Sequence, residues 1–182
     1  SLYRFIGPPL HESYEKFYSF SREQAIQAVS YYREYYEEKG MFENEVYPGI
    51  KELLRVLTKQ GILCLVATSK PEIYAKKILD YYKLRTYFHY IAGANMDGTR
   101  TDKAEVIAYA LKQIPAEYNN KKILMVGDRS HDIIGAKKNG IDCAGVLFGY
   151  GSREELEEAG ADFVADSVEA VRNIILLDTA MN

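Results

Sequence analysis

The chain has 182 residues, 47% of them apolar, with 23 Lys and Arg against 26 Asp and Glu. A net charge of −3 gives no electrostatic footprint for nucleic acid or an anionic membrane, and no apolar run nears the ~20 residues that span a bilayer. The length suits one medium domain, or a core with a small accessory unit.

In chain order, residues 1–44 read as a small helical unit. A first helix starts near Pro9 and carries Leu10, Tyr14 and Phe17. A second opens on the capping box Ser21/Gln24, repeats Ala25, Ala28, Val29, Tyr32, Tyr35 and Tyr36 at helical spacing, and closes with Gly40 as C′. The pattern changes at Tyr47-Pro48-Gly49, and residues 45–182 read as an α/β unit. Pro48 starts a helix that runs through Leu57 to Gly61. Ile62–Ala67 is a continuous apolar run, expected as a strand buried on both faces. A helix over Pro71–Tyr82, a weaker strand over Tyr87–Ala92 and a helix over Lys103–Gln113 follow. Lys122–Val126 is a second buried strand, with a helix to Asn139-Gly140 and a strand over Ile141–Leu147. Ser152 and Glu155 cap a short helix ending at Gly160. An edge strand over Asp162–Ala165 and a last helix from Ser167 towards Leu177 complete the chain. Strands alternating with helices imply a parallel α/β sheet with right-handed crossovers. Cys64 and Cys143 each lie in an apolar run, widely separated, which fits buried thiols in a reducing cytoplasm better than a disulfide or a zinc site.

In such a sheet, ligands bind outside the carboxyl ends of the strands. The first buried strand ends in Thr68-Ser69-Lys70, and the second in Gly127-Asp128-Arg129-Ser130-His131-Asp132. Lys103 opens a helix between them. Together they supply a hydroxyl, an ammonium and two carboxylates. That set suits phosphate beside a hard cation: hydroxyl and backbone N–H bind phosphate oxygens, the ammonium offsets charge, and carboxylates coordinate Mg²⁺. Taken singly, each has a plainer role. Thr68-Ser69 can cap a helix, Lys103 can be a solvated helix residue, and Asp132 can be a favourable charge in a first helical turn. Joint order and spacing favour the site.

The order and spacing resemble the phosphoglycolate-phosphatase and nucleotidase branch of the haloacid dehalogenase superfamily. LVATSK, with Thr68, is similar to the family's second motif, TDKAEVI, with Lys103, to its third, and LMVGDRSHD, with Asp128 and Asp132, to its fourth. GAKKNGID, GVLFGYGS and the opening FIGPPL also look typical of the branch. The resemblance implies a Rossmann-like core under a helical cap that closes over the strand ends. It implies a Mg²⁺-dependent phosphatase acting through an aspartyl-phosphate on a small phosphorylated metabolite. Thr68 would then bind phosphate oxygens, with Ser69 and Lys70 lining the phosphate side. Lys103 would orient the nucleophile and offset charge. Asp128 would ligate Mg²⁺ directly, and Asp132 would support the metal site indirectly.

One part of the family pattern is missing from the text. The first motif, Asp-x-Asp-Gly-Thr, belongs on a central strand before the cap and carries the nucleophile and the acid/base. Asn95-Met96-Asp97-Gly98-Thr99 is no substitute, because Asn cannot serve as a carboxylate nucleophile and Asp97-Gly98 reads as a turn. The nucleophile is therefore expected upstream of Ser1, and the strands over Ile62–Ala67 and Lys122–Val126 are expected to flank the absent strand without pairing directly. A phosphosugar mutase shares these motifs and stays open, as does a non-catalytic binding protein if Ser1 is the native start. A receiver domain is set aside, since its Asp precedes its Thr and its Lys comes last. The substrate and the oligomeric state stay open.

Overall fold

A computed structural model describes residues 10–180. The opening residues, with Pro9 and most of FIGPPL, lie outside the described residues. The chain divides into two compact units, Ser1–Glu45 and Val46–Asn182.

In the first unit, α1 (Leu10–Tyr18) packs on α2 (Arg22–Glu38). The capping box forms as read: Gln24 N donates to Ser21 Oγ at 3.3 Å, and Ser21 N donates to Gln24 Oε1 at 2.9 Å. Gly40 follows the C-cap Lys39 but is not left-handed; it begins a 3-10 turn over Gly40–Phe42. Its missing side chain instead admits the Tyr35 ring, which would lie 3.1 Å from a Cβ there. Tyr32 and Tyr36 stack at 5.3 Å, and Tyr35 Oη donates to Glu43 at 2.6 Å.

The second unit runs α3 (Ile50–Lys59), β1 (Leu65–Pro71), α4 (Glu72–Tyr81), β2 (Tyr90–Ala94), α5 (Lys103–Leu111), β3 (Leu124–Gly127), α6 (Ser130–Lys138), β4 (Asp142–Val146), α7 (Arg153–Glu158), β5 (Phe163–Ala165) and α8 (Val168–Ala180). Pro48 does not begin α3: Gly49, at φ +86°, is the N-cap, a conformation open to glycine. Gly61, Gly140 and Gly160 end α3, α6 and α7 at positive φ.

The strands form two parallel groups, β1–β2 and β3–β4–β5. Among the described residues β1 pairs only with β2, and β3 is an edge strand paired only with β4; the two do not pair with each other. This corrects the expectation of burial on both faces. β1 is half-buried along nearly its whole length, and Val126 in β3 is 38% exposed. Their paired neighbours carry the deep burial: Ile91–Ala94 in β2 and Cys143–Val146 in β4. The physical reason is positional, since an apolar run is buried only where other elements cover it, and β1 and β3 each have one uncovered edge.

Helices join the two groups. α5 packs on β1, β2 and α6. Asn139 Nδ2 donates to Ala104 O at 3.0 Å, and Gly135 lets α6 approach so closely that a Cβ would meet Ile107 and Lys103 at 3.0 Å. Three small cores result: Leu53, Leu57, Val146 and Val171 between α3 and α8; Ile133, Ala136, Cys143 and Leu156 under α6 and α7; and Ala92, Val106 and Ala110 under α5.

Candidate active site

The carboxyl end of β1 is irregular. Thr68 pairs with Gly93, but Pro71 is the next residue in register, opposite Ala94, so Ser69 and Lys70 bulge out of the ladder. The bulge folds back onto Thr68, whose Oγ1 accepts from Lys70 N at 3.2 Å. The Thr68 hydroxyl therefore keeps its proton to donate elsewhere. Gly93 permits the bulge: a Cβ there would sit 2.6 Å from Lys70 O and from Glu72 Cα.

Lys103 is the first residue of α5. The N-cap is Asp102, whose Oδ1 accepts from Ala104 N and Glu105 N. The Lys103 ammonium donates to Ala67 O, just before the β1 bulge (3.1 Å), and pairs with Asp132 Oδ1 at the start of α6 (2.8 Å). It thus bridges the carboxyl ends of the two strands that share no ladder. The pair is well shielded, with side-chain exposures of 14% and 8%.

Asp132 is engaged at both oxygens. Beyond Lys103, its Oδ2 accepts from Asp128 N and Arg129 N, both at 3.1 Å. A Cβ on Gly127 would overlap its side chain, so this glycine admits the buried carboxylate. Asp128 is held differently. Tyr150 N donates to its Oδ2 at 2.9 Å, and Gly151 N donates to its backbone carbonyl at 2.9 Å. A methyl at Gly149 would overlap the Asp128 side chain, and one at Gly151 its carbonyl oxygen. The Gly-Tyr-Gly turn after β4 is therefore a clamp on Asp128.

Glu155 takes a role that its spacing from Ser152 did not suggest. Ser152 Oγ caps α7 by accepting from Glu155 N at 3.2 Å. The Glu155 carboxylate instead reaches α6, where Oε1 accepts from Ser130 N (2.8 Å) and Arg129 Nε (2.9 Å). Burial opposes its ionisation, but the donors at Ser130 and Arg129 prevail and hold its pKa below the ordinary glutamate value.

The residues fit Mg²⁺ as one carboxylate, not as a complete cage. Among the described residues no three Asp, Glu, His or Cys side chains converge, but Mg²⁺ commonly takes one or two carboxylates with waters and substrate phosphate. Asp128, with one amide on one oxygen, retains acceptor capacity; Asp132, engaged at both oxygens, does not offer a direct ligand. Lys103, Asp128 and Asp132 thus lie in one linked network, which reaches β1 at Ala67, the residue before Thr68; Ser69 and exposed Lys70 follow in the bulge. His131 is exposed. Asn95–Thr99 is a turn: Asn95 N donates to Thr99 O, Gly98 has φ +86°, and Asp97 Oδ1 accepts from Thr99.

Residues 1–146 match the haloacid dehalogenase-like hydrolase family. The chain is 39% identical over 176 residues to a 5'-nucleotidase of Pseudomonas aeruginosa, covering 96% of this chain and 78% of that protein. It is 36% identical over 173 residues to tyrosine-protein kinase PtkA of Mycobacterium tuberculosis, covering 93% of this chain and 58% of that protein. The crystal structure of a predicted phosphatase from Clostridium acetobutylicum superposes with a TM-score of 0.86 at 45% identity, covering 96% of this chain and 80% of that one.

Proposed function

This chain belongs to the haloacid dehalogenase-like hydrolase family, and we propose that it forms the phosphate- and metal-binding part of a Mg²⁺-dependent phosphatase acting on a small phosphomonoester. Phosphoric monoester hydrolysis is the activity its matches share most clearly: a 5'-nucleotidase and a structurally similar phosphatase. The observation that carries the reading is the Lys103 ammonium, fixed between Ala67 O and Asp132 at the mouth of two unjoined strands, with Thr68 next to Ala67 and Asp128 four residues before Asp132 in sequence.

In this reading the Thr68 hydroxyl and the Ser69 amide bind phosphate oxygens. Lys103 stabilises the charge that builds as phosphorus is attacked, held in place before reaction so that no reorganisation is needed. Asp132 holds Lys103 in position through their ion pair. Asp128 is the carboxylate ligand to Mg²⁺, which polarises the phosphoryl group when bound. The nucleophile is an aspartate upstream of Ser1, on a strand that pairs with β1 and β3, and a second carboxylate two residues later moves the proton. The uncovered edges of β1 and β3 support that placement. A cytoplasmic setting accords with two unbridged cysteines and with no described helix long and apolar enough to cross a membrane. The expected partner is a small phosphorylated metabolite, not nucleic acid or a lipid surface.

Acid quenching of the full protein during turnover of a ³²P-labelled nucleoside monophosphate tests the mechanism. Label that stays on the protein in acid and is released by hydroxylamine is expected, with free phosphate as product. Label passed to a protein tyrosine would replace hydrolysis by group transfer, and isomerised sugar phosphate without free phosphate would replace it by a mutase.

A further inference from the structure

Arg100 lies outside the proposed phosphate site, yet its side chain is tied to several elements around it. Its backbone is left-handed, at φ +51°, a conformation that residues other than glycine disfavour. Such a residue persists where its surroundings over-determine it. Here they do. Arg100 Nε donates to Gly93 O at 2.8 Å, and Nη2 donates to Asn95 Oδ1 at 2.9 Å and to Glu72 Oε2 at 3.3 Å. The guanidinium also stacks 3.8 Å from the centre of the Tyr109 ring. Tyr109 is in turn bonded to Tyr90 of β2, Oη to Oη, at 2.9 Å.

These contacts join four elements: the end of β2, the start of α4, the turn after β2, and α5. Two of them adjoin the groups that would handle phosphate. Gly93 is the residue opposite Thr68, and its Cα abuts the 68–71 bulge that Glu72 immediately follows. Tyr109 lies on α5, the helix that begins with Lys103, three residues after Arg100. No ammonium can replace this geometry, because the site uses two edges and a face of a planar fork.

We propose that Arg100 is a positioning residue for phosphoryl transfer, keeping the Thr68–Pro71 bulge and the Lys103 helix in mutual register without touching substrate. The proposal rests on the phosphatase reading above. It assigns to Arg100 the alignment of ammonium against bulge, on which in-line attack depends.

The test uses the full protein with p-nitrophenyl phosphate and Mg²⁺, comparing Arg100→Gln, Arg100→Lys, Tyr109→Leu and Lys103→Ala. Misplacement of reacting groups by ~1 Å can cost about a hundredfold, so Arg100→Gln should lower kcat at least tenfold (about an order of magnitude) while KM stays within about threefold. Arg100→Lys should not restore kcat, and Tyr109→Leu, which removes the stacking face, should lower it in the same direction. A lowered melting temperature with wild-type kcat in Arg100→Gln would overturn the proposal, because it marks a merely structural role. If Arg100→Gln does not fold, wild-type kcat in Tyr109→Leu overturns it instead. Lys103→Ala separates the two claims: an inactive Lys103→Ala beside fully active Arg100 variants defeats only this inference, whereas an active Lys103→Ala defeats the phosphatase reading itself.

Discussion

At the residue scale the decisive fact is that Lys103 and Asp132 neutralise each other in a shielded place. Removing one partner of a buried pair typically costs ~3–5 kcal/mol, because the other charge is stranded. Asp132→Ala should therefore lower stability by roughly that amount and also release Lys103 from its bridge. Chemical denaturation and phosphate release, measured together, check both effects; unchanged stability would show that the pair is solvated. Asp128 should behave oppositely. Its carboxylate accepts from the Tyr150 amide, a bond that an amide oxygen can also accept, so Asp128→Asn should spare the fold and remove metal-dependent turnover. Gly149→Ala probes the clamp. Overpacking usually costs ~1–3 kcal/mol, and the displaced carboxylate should lower activity at saturating substrate; a fully active Gly149→Ala would show that the turn does not position Asp128.

Glu155 gives a pH signature. Its folded pKa lies below the ordinary value through Ser130 and Arg129, against the opposing effect of burial. The stability it contributes is thus complete above the unfolded glutamate pKa of ~4.3 and is lost as pH falls through the lower folded value. The stability difference between the wild type and Glu155→Gln should be largest near neutrality and shrink towards ~pH 3. A difference constant across that range would mean that the charge of Glu155 does not matter. The roles of Glu155 and Gly149 were not legible in sequence, because each acts across more than twenty residues, on Arg129 and Asp128. Thr68, Lys103, Asp128 and Asp132 were legible because each follows a strand or opens a helix within its own short run. Arg100 was hidden for another reason: its neighbours Thr99 and Thr101 form an ordinary polar turn in the text, and only the fold brings Glu72 and Tyr109 against it.

At the element scale, the alternation of strand and helix was read correctly, but the depth of burial was not. Apolar composition marked β1 and β3 as buried on both faces, and the structure gives the deeper burial to β2 and β4. Composition records what a strand is built to meet, and β1 and β3 carry more apolar surface than their described neighbours cover. Strand ends shifted for a related reason. β1 begins at Leu65, not Ile62, and runs past Thr68 because a bulge lets Pro71 rejoin the ladder, a feature with no periodic signal. Under the proposal, β1 and β3 are paired on both edges in the full protein. Amide hydrogen exchange should then show Val66–Thr68 and Met125–Gly127 protected close to the level of β4. Rapid exchange along either strand would argue against a strand between them.

At the scale of the whole molecule, a helical unit and an α/β unit share one chain, and the chemistry described lies in the second. Its two strand groups have no ladder in common among the described residues and are held by α5 against α6 and by the Lys103 bridge. A site at such a junction depends on both groups being in place, which suits chemistry that needs its charges fixed beforehand. The most direct measurement is phosphate release by the full protein as Mg²⁺ is titrated, for the wild type and Asp128→Asn side by side. The account predicts saturable Mg²⁺-dependent release in the wild type, and in Asp128→Asn, with its fold intact, release that stays near background at every Mg²⁺ concentration. Equal release from both proteins, or wild-type release that persists after Mg²⁺ is chelated, would contradict it.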